Sequence, residues 1–227
     1  GDINLVTEAD KMSENLIINA IRLSFPDHGI LSEESPAILG GSSMRWIIDP
    51  LDGTTNYAHG YPVFCVSIAL EKDGLIILGV VHDPTRHDTF LAVRGEGAYL
   101  NGKKIAVSET SELTRSLLAT GFPYDIRESK ENNLNNFNMM AKEVQAIRRA
   151  GAAALDMAYV AAGRFDGFWE LKLNPWDTAA ACLIIEEAGG KISDIFGRPW
   201  NLLSPHILAS NGRIHEQMIT VLQKAKI

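Results

Sequence analysis

The start of the chain carries the hydrophobic pattern of a helix. Between residues 7 and 24, apolar residues return at helical spacing, at Met12, Leu16, Ala20 and Leu23. Thr7 and Asp10 have the spacing of a capping box, with Asp in place of the usual Glu or Gln. The pattern therefore predicts a helix over residues 7–24, which Phe25-Pro26-Asp27 ends.

Short apolar runs bounded by turn residues predict strands in the rest of the first half. These strands cover residues 45–48, 63–71, 75–82, 89–93, 98–100 and 104–107. Lys72-Asp73-Gly74 joins two of them as a hairpin, and Asn101-Gly102 predicts a tight turn. After its first helix, the first half of the chain is therefore expected to consist mainly of short strands.

The second half alternates short strands with helical segments. Strands are predicted at residues 116–120, 145–148, 168–170, 191–194 and 207–209. Helices are predicted at residues 152–162, from Asn174-Pro175 to Gly189-Gly190, and at residues 213–224. The polar, Asn-rich residues 124–138 are expected to form a surface excursion. We expect a single α/β domain over residues 1–227, with a soft seam near residue 115.

The composition of the chain argues against several classes of partner. The 227 residues carry 21 Lys and Arg against 28 Asp and Glu, a net charge of −7, which argues against nucleic acid as a partner. No apolar run approaches the roughly 20 residues that cross a bilayer, so no membrane partner is expected. Cys65 and Cys182 lie in apolar stretches, and we expect buried thiols in a reducing, cytoplasmic compartment rather than a disulfide.

The strongest chemical signal is Trp46-Ile47-Ile48-Asp49-Pro50-Leu51-Asp52-Gly53-Thr54-Thr55-Asn56. An apolar strand leads to Asp49, Pro50 is expected to turn the chain, and Asp52 follows. Two carboxylates three residues apart, with the backbone carbonyl between them, can converge on a hard cation. Gly53-Thr54-Thr55 predicts a helix N-terminus, where free N–H groups favour phosphate. The segment therefore indicates metal-dependent phosphotransfer or phosphate hydrolysis.

Other interpretations of this segment are weaker. An Asp-Pro turn followed by a Thr or Asn cap is common on protein surfaces and needs no metal. An EF-hand is excluded, because the third position from Asp49 is Leu51 and the twelfth is Gly60 rather than Glu. An aspartyl-phosphate nucleophile of the haloacid dehalogenase type would need its two Asp residues two positions apart. The plain turn and cap is the alternative that stays open.

Two further acidic segments are candidates for the same site. Ser32-Glu33-Glu34-Ser35 places adjacent carboxylates at a strand-to-loop junction, where a solvated charge pair is equally acceptable. Asn174-Pro175-Trp176-Asp177 places Asp177 in the first turn of a helix, where a carboxylate ordinarily caps N–H groups. Each has a structural explanation alone, but the three segments together favour a cation site.

Taken in order, these segments resemble the inositol monophosphatase family of magnesium-dependent, lithium-sensitive phosphatases. The resemblance rests on Val6-Thr7-Glu8-Ala9-Asp10, Ser32-Glu33-Glu34-Ser35, residues 46–56, Trp176-Asp177-Thr178-Ala179-Ala180 and Glu187-Ala188-Gly189-Gly190. It extends from about Leu5 to the end of the chain. It implies an α/β (α+β) fold, the layered αβαβα sandwich of inositol monophosphatases and fructose-1,6-bisphosphatases. It also implies a homodimer.

The resemblance implies two or three Mg²⁺ ions, held by oxygen donors from Glu33, Asp49, Leu51, Asp52 and Asp177. Glu33, Asp49 and the Leu51 carbonyl would bind the first ion, and Asp49, Asp52 and Asp177 the second. Glu33 would also lie near a weaker third ion. Like carboxylates this close would otherwise repel one another or take up protons.

The resemblance also implies the catalytic and phosphate-binding groups. Thr54 and Asp10 would orient and deprotonate the attacking water, with Glu33 as a further catalytic residue. The N–H groups of Gly53 and Thr54 would hold the phosphate, beside Asp52. A capping role for Asp10 is compatible with this one.

Substrate contacts are implied for Asp52, Gly53, Thr54, Gly151, Ala152, Ala153, Glu170 and Asp177. Gly151-Ala152-Ala153 and Glu170 would touch sugar or cyclitol hydroxyls, although a strand-end salt bridge is an alternative for Glu170. Arg148 is a candidate for a second phosphate or other negative group of the substrate, or for pairing with a surface acid. Surface pairing is the expectation for Arg149.

The resemblance therefore implies a Mg²⁺-dependent phosphatase acting on a small sugar or inositol monophosphate. The same site could instead serve fructose 1,6-bisphosphate, histidinol phosphate or a 3′-phosphonucleotide. A regulatory interaction protein that has kept the fold is the alternative of another class. Because this sequence starts at Gly1, we expect the family's N-terminal helix and its lysine-bearing mobile loop to be missing from it.

Overall fold

Two β-sheets form the frame of the computed structural model, which describes residues 7–225; Leu5 and Val6, where the family resemblance begins, lie outside the described residues. The strands of the first sheet lie in chain order: β1 (Gly29–Ser32), β2 (Met44–Asp52), β3 (Cys65–Lys72), β4 (Leu75–Asp83), β5 (Asp88–Val93), β6 (Gly97–Leu100) and β7 (Lys103–Lys104). β1 runs parallel to β2, and the other neighbours are antiparallel.

The second sheet is formed by the other half of the chain. Its strands are β8 (Leu117–Thr120), β9 (Ala146–Arg148), β10 (Gly167–Leu171), β11 (Lys191–Ser193) and β12 (His206–Ser210). They lie in the order β11-β12-β10-β8-β9, and β10 pairs in parallel with β8 and antiparallel with β12. The chain therefore passes from the first sheet to the second between Lys104 and Leu117.

The helices form the layers around these sheets. They are α1 (Glu8–Ser24), α2 (Thr54–Ala58), α3 (Leu134–Met140), α4 (Ala153–Ala161), α5 (Pro175–Glu187) and α6 (His215–Lys224). α1 packs on one face of the first sheet, α4 and α5 lie between the sheets, and α6 packs beside α3 on the second sheet. This is the predicted αβαβα sandwich.

Alternation along β10 separates the two cores of the second sheet. Phe168 belongs to the core that α4 and α5 share with both sheets, whereas Trp169 belongs to the core beneath α6. Both side chains are fully buried. Because successive strand residues point to opposite faces, one apolar strand can serve both layers.

The predicted first helix forms, but its most regular apolar stripe faces outward. Met12, Leu16 and Leu23 are 65%, 72% and 86% exposed. The buried positions of α1 are instead Asp10, Glu14 and Ile21. Hydrophobic spacing therefore predicted the correct secondary structure, but the packed face carries Ile17, Ile18 and Ile21 together with the two acids.

Pro50 does not turn the chain, contrary to the expectation from the sequence. β2 continues through Pro50 to Asp52, and its pairing with β3 shifts register between Asp49 and Asp52. A bulge tolerates proline, since the missing N–H is not required by the ladder there. The two acids therefore lie at opposite ends of a bulge within one strand.

The expected surface excursion at residues 124–138 is also partly wrong. α3 begins within it, and Asn133 and Asn136 are buried. The Asn133 side chain donates to the Gly121 carbonyl (2.7 Å) and accepts from the Trp169 indole N–H (2.9 Å). Its amide is thus satisfied inside the protein, which composition alone does not reveal.

The strand expected at residues 104–107 is shorter than predicted. β7 contains only Lys103 and Lys104, and the N–H of Val107 donates to the Ala188 carbonyl at the end of α5 (3.1 Å).

Cys65 and Cys182 are buried and free, as expected. Within residues 7–225, no helix is both long and apolar enough to span a membrane.

Candidate active site

Three structural elements bring the predicted acidic residues to one cleft. Glu33 follows β1, and its N–H donates to the Ile48 carbonyl of β2 (3.3 Å), which places it beside Asp49. Asp49 and Asp52 flank the bulge of β2. Asp177 lies in the first turn of α5. Glu33, Asp52 and Asp177 line a cleft of about 270 Å³, with Asp49 buried behind them.

Asp177 has both of the roles weighed from the sequence. Its Oδ2 accepts the Asn174 N–H (2.7 Å) in a capping box, so the carboxylate does cap α5. The same side chain faces the cleft beside Asp52. The capping explanation and the site explanation therefore do not exclude each other.

Burial and mutual repulsion raise the pKa values of these acids. Burial, followed by the charge of Asp177, raises the pKa of Glu33 to about 7. Burial also raises the pKa of Asp52 and of Asp177 to about 7 in each case. Burial, Asp52 and Glu33 raise the pKa of Asp49 well above its ordinary value. The protein alone does not compensate this concentration of negative charge.

The donor set is suited to a hard divalent cation. No Lys or Arg within residues 7–225 forms an ion pair with the four acids, so their negative charge has no cationic partner in the described chain. Oxygen ligands of this kind are those that Mg²⁺ prefers. As placed, however, no three Asp, Glu, His or Cys side chains of the described chain form a group that could hold an ion. The acids fit a cation chemically, but their side chains must move to hold it.

Asp10 and Thr54 form a direct contact at the edge of the cleft. Asp10 is fully buried, and its Oδ1 accepts a hydrogen bond from the Thr54 hydroxyl (2.9 Å). Its Oδ2 accepts from the Thr7 N–H (2.8 Å) and from the Thr7 hydroxyl, completing the capping box of α1. One carboxylate therefore caps the helix and contacts the predicted catalytic threonine.

The Thr54 hydroxyl also lies 3.1 Å from the Leu51 carbonyl, the predicted backbone ligand. Gly53, immediately before α2, has φ of 94°. A Cβ at Gly53 would lie 2.9 Å from the Val63 carbonyl, so both backbone conformation and space favour glycine. These contacts fix the start of α2 at the cleft.

The N-terminus of α4 holds Asp52 in place. The Ala154 N–H donates to Asp52 Oδ2 (2.7 Å), and the Cys65 thiol lies 3.6 Å from the same oxygen. Gly151, Ala152 and Ala153 line the adjoining wall. The first and second halves of the chain are thereby joined at a predicted metal ligand.

Glu170 lies at the far end of the cleft on β10. It is buried, and burial together with the charges of Asp177 and Asp156 raises its pKa well above the ordinary value. A Cβ at Gly121 would lie 2.1 Å from Glu170 Oε1, so only glycine leaves room for this carboxyl. The predicted strand-end salt bridge of Glu170 is not formed in the described chain.

Arg149, for which surface pairing was expected, lies at the cleft, whereas Arg148, for which two roles were left open, does not line it. Arg149 lines the cleft, and its guanidinium has no ion-pair partner among residues 7–225. Arg148 is not among the residues that line it, and its Nη1 donates to the neighbouring Ile147 carbonyl (3.2 Å). Arg148 is the last residue of β9 and Arg149 follows it, and adjacent residues of an extended chain point in opposite directions.

Two residues that support the site were missed from the sequence. Glu14 is buried on α1 and accepts hydrogen bonds from the Glu34 N–H (3.3 Å) and the Ser35 hydroxyl (2.5 Å), which positions the loop after Glu33. Lys172 donates to Asp125 (2.6 Å) and Ser129 (2.8 Å), anchoring the loop that carries Tyr124 along the cleft. The spacing of Glu14 four residues after Asp10 was the available signal for the first.

Comparison with known proteins agrees with this fold. The inositol monophosphatase family matches residues 1–226. An inositol-1-monophosphatase of Synechocystis is 47% identical over 221 residues, 96% of this chain and 77% of that protein. The Nus factor SuhB of Pseudomonas aeruginosa is 46% identical over 223 residues, 96% of this chain and 82% of that protein. The structure of inositol monophosphatase from Anabaena superposes with a TM-score of 0.94 at 47% identity, covering 96% of this chain and 87% of that one.

The layered fold and these relatives define a phosphoric monoester hydrolase. Within that class, the chain belongs to the inositol monophosphatase family. The resemblance expected from the sequence is thereby confirmed.

Proposed function

We propose that this phosphatase hydrolyses a small inositol or sugar monophosphate with Mg²⁺ as its cofactor. One observation carries the proposal: four carboxylates without a cationic partner gather at the same cleft as the Asp10–Thr54 pair. The inositol-1-monophosphatase of Synechocystis supports the substrate class by its similarity. The proposal makes the cleft a site for one phosphate ester and its cations.

The proposed metal ligands are the predicted set, namely Glu33, Asp49, the Leu51 carbonyl, Asp52 and Asp177. We propose two ions, with a third near Glu33, and sensitivity of the activity to Li⁺. Divalent ions bound there would lower the pKa of an attacking water and stabilise the leaving alkoxide. Their positive charge would also remove the repulsion that raises the acid pKa values.

The chain's own groups would orient the reaction. Thr54 would hold the attacking water and pass its proton toward Asp10, whose Oδ1 is already 2.9 Å from the hydroxyl, and Glu33 would assist from the cation side. The N–H groups of Gly53 and Thr54 would bind the phosphate. Glu170 and the wall at residues 151–153 would contact the hydroxyls of the alcohol part, and Arg148 remains a proposed contact only for a substrate that reaches beyond the cleft.

The test is phosphate release across a panel of esters, with and without Mg²⁺ and Li⁺. The panel contains inositol 1-phosphate, fructose 1,6-bisphosphate, histidinol phosphate and a 3′-phosphonucleotide. We expect Mg²⁺-dependent release that is fastest from inositol 1-phosphate. Preference for the bisphosphate or for histidinol phosphate would replace the proposed substrate, and release without any divalent ion would overturn the mechanism.

Two variants separate the site from general damage. Asp49→Asn is expected to lower kcat/KM at least about 10³-fold, because it removes a carboxylate proposed to bind both main ions. Asp88→Asn, which removes a carboxylate paired with Arg164 (2.8 Å) outside the cleft, is expected to retain activity. Full activity in Asp49→Asn would contradict the proposed ligand set.

A regulatory role is a second candidate, because relatives named Nus factor SuhB are 44–46% identical to this chain. We propose that such a role would use a surface other than the cleft. Pull-down of transcription machinery from lysate should then be equal for the wild type and Asp49→Asn while hydrolysis is lost. Absence of any such binding by the wild type would remove this candidate.

We also propose one catalytic domain over the whole chain, a homodimer, and a cytoplasmic location. The domain proposal is supported by α4 and α5, which pack against both sheets. The location is supported by two free, buried thiols, which suit a reducing compartment. Sedimentation of the purified protein tests the dimer, and a single calorimetric transition tests the single domain.

A further inference from the structure

One buried acid in the cleft has no role in the reaction proposed above. Asp156 lies on α4 with 2% of its surface exposed, and it lines the cleft. Its Oδ1 is buried without a hydrogen-bond partner in the described structure. A buried polar atom left in this state costs free energy that ordinary structural acids avoid.

Other buried acids differ from Asp156, because their carboxylates accept hydrogen bonds from the protein. Asp166 is also buried, but its carboxylate accepts from the Ser108 hydroxyl (2.5 Å) and the Leu117 N–H (2.7 Å). Asp194 accepts from the N–H groups of Phe196 and Arg198 (both 2.8 Å). Asp156 has acceptor capacity that no described group of this chain uses.

The position of Asp156 suggests what would use it. Asp156 lines the same cleft as Asp52, whose charge acts on it, and it lies two residues after Ala154, which donates to Asp52. Glu170 faces the same cleft from β10, and its charge interacts with that of Asp156. The positive charge of Arg149, on the same cleft wall, acts on both acids. Two carboxyls at one end of a pocket repel a phosphate but accept hydrogen bonds from hydroxyl groups.

We propose that Asp156 is a specificity-determining residue that accepts a hydrogen bond from a hydroxyl of the substrate alcohol, beside Glu170. The ligand class is a monophosphate that carries several hydroxyl groups. The inference rests on the proposed function and adds the residue that would distinguish polyol phosphates from phosphates without hydroxyls. A site built to bind a hydroxyl discriminates strongly against analogues that lack one, because its own polar groups then stay unpaired.

The test compares two substrates and two variants. Phenyl phosphate offers the same phosphate without alcohol hydroxyls, and inositol 1-phosphate offers several. Asp156→Leu removes both acceptors and keeps the branching of the side chain, whereas Asp156→Asn keeps one acceptor. We expect Asp156→Leu to raise KM for inositol 1-phosphate about tenfold or more and to leave kcat/KM for phenyl phosphate within about twofold. Asp156→Asn should recover most of the affinity for inositol 1-phosphate.

Thermal unfolding in EDTA provides a readout that separates recognition from a structural role. If Asp156 exists to bind substrate, Asp156→Leu should raise the unfolding temperature, since an unpartnered buried carboxyl is removed. A carboxyl that held the fold together would give a lower unfolding temperature instead. Asp166→Leu, which removes a fully bonded acid, is the control expected to lower it.

Several results would overturn the inference. Equal losses on both substrates in Asp156→Leu would assign Asp156 to the reacting end of the cleft, and an unchanged KM for inositol 1-phosphate would show that no hydroxyl binds it. A lower unfolding temperature would make the residue structural. Failure of the proposed function is distinguishable, because the wild type itself would then release no phosphate from either ester.

Discussion

Asp49 at the cleft and Asp83 at the end of β4 are both buried, yet their surroundings differ in kind. Asp49 accepts the Leu51 N–H (3.0 Å) and otherwise faces other carboxylates. Asp83 accepts hydrogen bonds from Thr85 (2.7 and 2.9 Å) and from the Arg86 guanidinium (2.9 Å). The same side chain is left uncompensated in one region and fully paired in the other.

The pKa values of the two acids move in opposite directions for this reason. Burial, aided by Asp52 and Glu33, raises the pKa of Asp49. At Asp83, burial is outweighed by the hydrogen bonds from Thr85 and Arg86, and the pKa is lowered. The lowered pKa of Asp83 accompanies hydrogen bonds that the fold supplies, whereas the raised pKa of Asp49 accompanies negative charge that the fold leaves unbalanced.

The largest change in the free energy of unfolding is expected at Asp83, the acid that has hydrogen-bond and ion-pair partners. Asp83→Asn keeps the shape of the side chain but leaves Arg86 without its charged partner, and we expect it to lower the free energy of unfolding by about 3 kcal/mol. Urea unfolding with EDTA present measures this loss. Phosphate release at low temperature should be unchanged, because Asp83 does not line the cleft. A loss below about 1 kcal/mol would mean that the pairing contributes little.

A buried histidine is expected to make the free energy of unfolding depend on pH. His215 is fully buried between the hydroxyls of Ser193 (2.9 Å) and Ser210 (2.8 Å), and burial, then the charge of Lys191, lowers its pKa to about 4. The unfolded chain therefore takes up this proton first as the pH falls from about 6.5 toward 4. We expect that proton to remove about 2 kcal/mol of stability between pH 7 and pH 5.

Urea unfolding of the wild type and His215→Gln at pH 7 and pH 5 measures that effect. The variant should lose about 2 kcal/mol less over this interval, because it cannot take up the proton. His87→Gln, at an exposed histidine, is the control and should behave as the wild type. Parallel losses in all three proteins would show that His215 is not the titrating group.

A smaller effect, of opposite sign to that of Asp83→Asn, is expected at the cleft. Asp49→Asn removes a charge that three neighbouring carboxylates repel, while the amide oxygen can still accept the Leu51 N–H. In EDTA we expect the free energy of unfolding to rise by about 1 kcal/mol. Urea unfolding decides the sign, and a loss would mean that Asp49 is already compensated without a cation.

The sequence allowed prediction of the acids that follow a local pattern. Asp49 and Asp52 stand in one segment, and Asp177 follows an evident helix start, so their approximate placement needed no long-range information. Asp156 could not be singled out, because its neighbours on α4 are apolar and nothing local shows which face of that helix meets the cleft. Its role depends on how α4 lies against β10, which only the assembled fold defines.

The layered fold was predicted better than the orientation of its parts. Most strands and helices lie near their expected positions, since apolar period and capping residues are local signals. The apolar stripe containing Leu16 predicted the helix, but the buried face carries Asp10, Glu14 and Ile21. This face contacts residues distant in sequence, namely Ile30 and Ile48 for its isoleucines, and Thr54 and the loop after Glu33 for its acids.

The smallest change in the free energy of unfolding is expected at a buried acid that accepts its hydrogen bonds mainly from backbone N–H groups. Burial is outweighed at Asp194 by backbone and side-chain hydrogen bonds from Arg198, which lower its pKa. The Arg198 side chain is 70% exposed, although its Nε lies 2.5 Å from Asp194 Oδ2. Arg198→Ala keeps the N–H groups of residues 196 and 198, so we expect a loss of only about 0.5 kcal/mol in urea unfolding.

Asp194→Asn is the matched variant, and it should cost about 2 kcal/mol because it weakens every hydrogen bond that the carboxylate accepts. A cost of about 2 kcal/mol for Arg198→Ala as well would show that the exposed guanidinium, and not the backbone, completes this acid. If the two variants differ as expected, backbone N–H groups are a second way in which this fold stabilises a buried carboxylate without a ligand.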